Sequence, residues 1–223
     1  MIYSPLKLYI NDTNIEDLGG VLVGLEKSPI PEEFVKTYEV PNQSLTLTRR
    51  TGVFKPIKKY FTVWYPKSSE ANLKKLIKDA RTLRFSDESD LSYDVVRVYG
   101  AKAEAIKPNE YLITLEVDCQ PFKRIYDEES KTGTELKFKA PYQSAHAEPK
   151  IIIRESGTVN VNGQTLTVSN LRGKTILDSA LQMVDGTSWD NISVNYLPKT
   201  NEGDDLIITS SVEVEVQPQW KVF

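Results

Sequence analysis

From Tyr111 to Phe122 the chain reads Tyr-Leu-Ile-Thr-Leu-Glu-Val-Asp-Cys-Gln-Pro-Phe, and this stretch constrains the fold more than any other. Ile113, Leu115, Val117 and Cys119 fall on one face, with Thr114, Glu116 and Asp118 on the other. That is the period of a half-buried antiparallel strand. Pro121 has no N–H and cannot extend the ladder, so the strand is expected to stop at the Cys-x-Pro-Phe sequence, where a differently composed segment begins.

The residues before it read as further strands with one helix. Lys58 to Tyr65 alternates, Tyr60, Thr62 and Trp64 against Phe61, Val63 and Tyr65, and its aromatic side chains suit a pleated surface. Pro66 ends that strand, and Ser68 or Ser69 can cap a short amphipathic helix in which Leu73, Leu76, Ile77 and Ala80 recur on one side. Lys74, Lys75, Lys78 and Asp79 occupy the other side as a solvated face. Leu83 to Phe85, an acidic loop Asp87-Glu-Ser-Asp90 and a strand from Tyr93 to Tyr99 follow. The first half is therefore α+β, dominated by β.

Beyond the polar run Asp127-Glu-Glu-Ser-Lys-Thr-Gly-Thr134, which has the composition of a linker, no segment has helical periodicity and the chain should be nearly all strand. Its clearest element is Thr158 to Val168, where Asn162-Gly163 is the preferred pair for a two-residue type I′ turn. That turn pairs Val161 with Gln164 and Val159 with Leu166, and it places Val159, Val161, Leu166 and Val168 on one face. Ile176 to Asp178, Ile192 to Leu197, Leu206 to Thr209 and Val212 to Val216 supply more strands. Short strands at this spacing make a β-sandwich. The domains are expected at residues 1–128 and 129–223.

Composition excludes several classes. A net charge of -3 over 223 residues offers no broad electropositive surface for phosphates, so nucleic acid is not an expected partner. The Met1 to Lys7 segment lacks the apolar run of a signal peptide, and no stretch approaches the ~18 apolar residues of a membrane span, so neither export nor a membrane partner is expected. Cys119 is the single cysteine, which rules out an intramolecular disulfide and fits folding in a reducing cytoplasm. Its place on the apolar face makes it a small core residue rather than a nucleophile.

Candidate chemistry is sparse. His146 is the single histidine, so Ser-His-Asp, Cys-His and multi-histidine zinc sites cannot be built within one chain; it reads as a loop residue. Gly19, Gly20 and Gly24 do not form a dinucleotide-binding pattern, and there is no phosphate-binding lysine loop. The Asp87 to Asp90 loop has oxygens for calcium but lacks the glycine and later Glu of an EF-hand, and reads as a solvated turn. Trp189, Tyr196 and Trp220 can stack on a sugar, but tryptophans in a sandwich are expected in the core or at its rim. No catalytic, cofactor-binding or metal-binding residue is assigned. The chain is not expected to be an enzyme.

In their order along the chain these features resemble the distal tail proteins of long-tailed bacteriophages. The resemblance rests on Asp17-Leu-Gly-Gly20, Thr48-Arg49-Arg50-Thr51-Gly52 before the aromatic strand, the short helix, Leu83-Arg-Phe85, a strand starting at Tyr93, and the Cys-x-Pro-Phe. It continues through Thr175-Ile-Leu-Asp178, Leu197-Pro198, Gly203 before Leu206-Ile-Ile208, and Val212-Glu-Val-Glu-Val216 followed by Pro218 and Trp220. Arg49 and Arg50 depart from the family, where an acidic residue before the glycine is common. The resemblance implies an N-terminal β-sandwich-like ring domain with one helix and a C-terminal galectin-like β-sandwich. It implies a homo-oligomeric ring, typically a hexamer, at the distal end of the phage tail, assembled in the host cytoplasm. Its implied partners are the tail tube protein, a tail-tip or tail-associated protein, and a receptor-binding protein. A carbohydrate-binding module for host-surface attachment is the alternative that the galectin-like half implies; it requires an exposed aromatic beside convergent polar groups.

Overall fold

The computed structural model describes residues 6–26, 30–39, 46–99, 102–171 and 173–223. The first five residues of the Met1 to Lys7 segment lie outside the described residues. The chain divides into two compact units, Met1–Lys123 and Arg124–Phe223, each with its own apolar core. Both are mainly β. The division falls a few residues before the end of the 1–128 segment expected from composition.

The first unit contains β1 (Leu8–Ile10), β2 (Thr13–Asn14), β3 (Val21–Leu25), β4 (Glu33–Glu39), β5 (Thr46–Phe54), β6 (Ile57–Pro66), helix α1 (Glu70–Lys78), β7 (Thr82–Phe85), β8 (Leu91–Val98), β9 (Lys102–Lys107) and β10 (Glu110–Ile125). β6 and β10 form its longest ladder, antiparallel from Glu110↔Pro66 to Cys119↔Ile57, and β3 and β9 add to its two sides. The expected alternation is present: Ile113, Leu115, Val117 and Cys119 are buried on β10 opposite Phe61, Val63 and Tyr65 on β6. β4 and β5 make a separate two-stranded sheet that includes Thr48 to Gly52.

Two expectations need correction here. β10 does not stop at Cys-x-Pro-Phe; it runs through Pro121 to Ile125. The ladder with β6 ends at Cys119↔Ile57, so the missing proline N–H falls where β6 offers no partner. Burial alternation ends there too, which is why the sequence reads as a stop. The helix forms where its apolar spacing places it, with Leu73 and Ile77 buried, but Ser69 does not cap it. A 3-10 turn, Lys67–Ser69, leads directly into α1, and Ser69 (φ -93, ψ -8) is already helical rather than extended, so its hydroxyl cannot reach back to the first-turn N–H groups. Ser69 is buried instead, with its Oγ 2.6 Å from the position a Cβ on Gly19 would take; the glycine, at φ +78, makes room for it.

The second unit contains β11 (Lys131–Phe138), β12 (Ser144–Ala147), β13 (Lys150–Ile153), β14 (Gly157–Val161), β15 (Gln164–Val168), β16 (Thr175–Asp178), β17 (Met183–Asp185), β18 (Leu206–Gln217) and β19 (Trp220–Val222). Its main sheet runs β15-β14-β18-β13-β16-β17, with β11 on β18, and β12 pairs with β19. The hairpin has the register that its turn chemistry requires, Val161↔Gln164 and Val159↔Leu166, with Asn162 at φ 48 and Gly163 at φ 88. Val159, Val161, Leu166 and Val168 are each at most 1% exposed, and burying each contributes about 1.5–3 kcal/mol.

Three segments differ from expectation. The polar run is not a linker throughout, because Lys131 to Thr134 begins β11, which pairs with β18 and leaves most of its residues exposed. A strand with a single partner keeps a polar composition. Leu206 to Thr209 and Val212 to Val216 are one continuous strand; Ser210 still pairs with Val159, and the register with β11 shifts between Gly133 and Glu135. Ile192 to Leu197 is not a strand: Ile192 makes one isolated bridge to Val168, and Leu197 bonds through both its backbone groups to the side-chain amide of Gln182. That amide takes the place of a neighbouring strand.

Candidate functional site

The candidate residues of the sequence do not converge on one centre. Cys119 is fully buried on β10, and desolvation pushes its thiol up to about 12, so almost no nucleophilic thiolate exists at neutral pH. His146 lies on β12 rather than in a loop, correcting the expectation. Its Nε2 is 3.1 Å from Glu148 Oε1, and Lys221 Nζ is 3.8 Å from the other carboxylate oxygen. Burial opposes the charge on Glu148, but the hydrogen bond to His146 and the nearby cations outweigh it and hold its pKa below the usual range. This is a half-buried ion cluster.

The acidic loop is a short 3-10 turn, Ser86–Glu88, whose central carboxylate is already engaged. Tyr93 Oη donates to Glu88 Oε2, and Lys123 Nζ donates to Oε1 at 2.7 Å. Burial raises the Glu88 pKa, and these two donors more than reverse it. Among the described residues no group of three or more His, Cys, Asp and Glu side chains is placed to hold a metal ion. Beside this turn lies Lys59, 3% exposed, with its Nζ 4.8 Å from the centre of the Phe85 ring and 4.4 Å from that of Tyr93. Burial lowers its pKa, against the pull of Glu88. Sequence reasoning missed Lys59, though the signal was present: the period of β6 puts it on the buried face with Ile57, Phe61, Val63 and Tyr65.

The surface of each unit also carries a hollow. In the first unit a groove of about 470 Å³ runs between α1 and the β8–β10 sheet. Ile77, Val95, Val98 and Ile113 give it an apolar lining, and Lys74, Lys78 and Arg97 border it with exposed cations. Lys74 is paired with Glu70 one helical turn earlier at 2.5 Å, and the Arg97 guanidinium stacks 4.2 Å from the Tyr99 ring centre. In the second unit a polar hollow is lined by Asn170, Leu171, Gly186, Thr187, Ser188 and Asn191. Much of its hydrogen-bonding capacity is spent internally, Asn191 Nδ2 donating to Thr187 Oγ1 at 2.8 Å and Asn170 Nδ2 to Asn191 Oδ1 at 3.3 Å. The three aromatic candidates separate: Trp220 belongs to the core, Trp189 is partly exposed on the turn that helps form the hollow, and Tyr196 is 69% exposed.

The chain superposes on the crystal structure of the SPP1 Dit protein (gp 19.1), described as a paradigm of the hub adsorption apparatus in phages that infect Gram-positive hosts. The TM-score is 0.70, with 98% of this chain and 99% of that chain covered. The chain has a Dit-like fold. Identity over the match is 11%, so the likeness lies in architecture rather than in residues. No protein-family model and no curated protein matches the sequence. A Dit-like fold accounts for the two mainly β units in one chain.

Proposed function

We propose that this chain is a structural hub component of a phage tail tip, located in the virion at the distal end of the tail and assembled in the host cytoplasm. Its first domain closes a homo-oligomeric ring, six copies in the reading implied by its resemblance to distal tail proteins, and joins the tail tube to the tip. The ring carries receptor-binding proteins on its outer side. The observation that carries this reading is the likeness of fold to a phage hub protein over 98% of this chain and 99% of that one. The spent state of Cys119, His146 and Glu88 fits a role without catalysis. Native mass spectrometry tests it: the particle should weigh a fixed multiple of the 25.3 kDa chain, sixfold for a hexamer. A monomer at every concentration refutes the ring, and metal-dependent hydrolysis of peptidoglycan or an oligosaccharide, abolished by one carboxylate substitution, refutes the structural role.

The carbohydrate-binding reading keeps one supporting observation, the partly exposed Trp189 beside a polar hollow. Because those polar groups are largely bonded to one another, simple galactosides are expected not to bind. Calorimetry showing micromolar binding that is lost on Trp189→Ala would favour this reading over the hub.

A further inference from the structure

A closed ring of identical chains needs two unlike patches on each copy that fit one another. The first unit carries such a pair on the β7–β8 hairpin. Pairing of Thr82 with Asp94 and Leu83 with Tyr93 sets the acidic turn Ser86 to Asp90 at one end of the hairpin. Arg97 lies toward the other end, beyond Asp94, where it borders the groove beside α1 together with Lys78. Asp90 and Arg97 are separated by about 23 Å of strand, more than twice the screening length of roughly 8–10 Å, so the patches do not neutralise each other within one copy.

Both patches keep charge to spare. Lys78 and Arg97 are exposed, and among the described residues neither is in an ion pair. Asp87 and Asp90 are exposed as well, Asp90 accepting a hydrogen bond from its neighbour Ser89 at 3.1 Å. Glu88, the middle carboxylate, is turned inward to Tyr93 and Lys123, which fixes the shape of the turn while its two flanking aspartates face solvent. The groove supplies the remaining element, an apolar lining of Ile77, Val95, Val98 and Ile113 that lowers the local dielectric under the cations.

We propose that the groove receives the acidic turn of a second copy of this chain, with Lys78 and Arg97 facing Asp87 and Asp90 of the neighbour. The contact is heterologous and head-to-tail, and it rests on the ring reading above. Its test uses the full chain in native mass spectrometry and light scattering at matched concentration. The Lys78→Asp, Arg97→Asp pair and the Asp87→Lys, Asp90→Lys pair should each weaken association about tenfold or more, and combining all four should restore it. Arg97→Asp alone serves as the variant that leaves the helix untouched, and thermal melting confirms that each variant folds. Assembly of the unaltered chain should also weaken as salt rises. A ring that survives either reversed pair overturns the groove assignment and leaves the hub reading standing. Loss of the ring without rescue by the fourfold variant overturns it likewise, whereas an unaltered chain that never assembles overturns the ring reading and this contact together.

Discussion

Gly163 and Gly186 sit at the same backbone dihedral, φ +88, yet they should respond very differently to a methyl group. A Cβ on Gly163 meets nothing within 4 Å, because the tip of the β14–β15 hairpin points into solvent. Gly163→Ala then costs the left-handed backbone penalty alone, about 1–2 kcal/mol. A Cβ on Gly186 would lie 2.3 Å from the Lys174 carbonyl oxygen and 3.2 Å from its carbon, and backbone cannot rotate aside as a side chain can. Forced main-chain movement of this kind adds about 1–3 kcal/mol, so Gly186→Ala should cost about 2–5 kcal/mol in all. Urea denaturation in a Trp64→Phe background reads this out, since the two remaining tryptophans, Trp189 and Trp220, both belong to the second unit. Thermal midpoints should separate as well, by about 4–8 °C per kcal/mol for a domain of this size. Equal losses at the two positions would refute the reasoning, because they would leave the backbone dihedral as the whole cost and the close approach at Lys174 as irrelevant.

Cys119, with its thiol pushed up to about 12 and no solvent exposure, should resist a thiol reagent at pH 8 until the first unit unfolds; fast labelling of the folded chain would contradict its burial. Glu88 has a folded pKa below its unfolded value, so its stabilising effect is complete above the ordinary carboxylate value of 4.5 and fades as pH falls through the lower folded value. Glu88→Gln should therefore destabilise the chain at pH 7 with a deficit that shrinks in acid, and a deficit that grows on acidification would show the sign to be wrong. Fragments beginning at Arg124 and at Ser130 should differ in stability by about 1.5–3 kcal/mol, because the shorter one lacks the Glu128 carboxylate that accepts the Gln219 and Trp220 backbone N–H groups. Matching denaturation curves for the two fragments would show that these hydrogen bonds to Glu128 add nothing to stability.

The sequence was most legible where no signal competed with another. On β10 the alternation from Ile113 to Cys119 had no competitor, and in the hairpin the Asn-Gly turn and the burial pattern agreed. It was least legible where side chains stood in for backbone partners: the Gln182 amide satisfies Leu197, and Ile192 to Leu197 carries strand-like residues without being a strand. Polar composition misled at Lys131 to Thr134 because a strand with one partner and an exposed surface looks like a connector. The ion network of Glu88, Tyr93, Lys123 and Lys59 joins four positions spread along the first unit, and no local spacing encodes it. The groove beside α1 is of the same kind, since Lys78, Arg97 and Ile113 come together only through the folded sheet.

β18 has a consequence for how the second unit is made. It pairs with β11, β13 and β14, all of which precede it in the chain. On the ribosome these three strands emerge before the strand they share, and the backbone edges that it pairs with wait unpaired. Folding of the second unit is then gated by synthesis of Leu206 to Gln217 and is governed by pairings distant in sequence, which close slowly. Throughout that interval β11, β13 and β14 are exposed to mispairing with one another and with neighbouring nascent chains, so the yield of correctly folded protein should depend on translation speed and temperature more than its final stability would suggest.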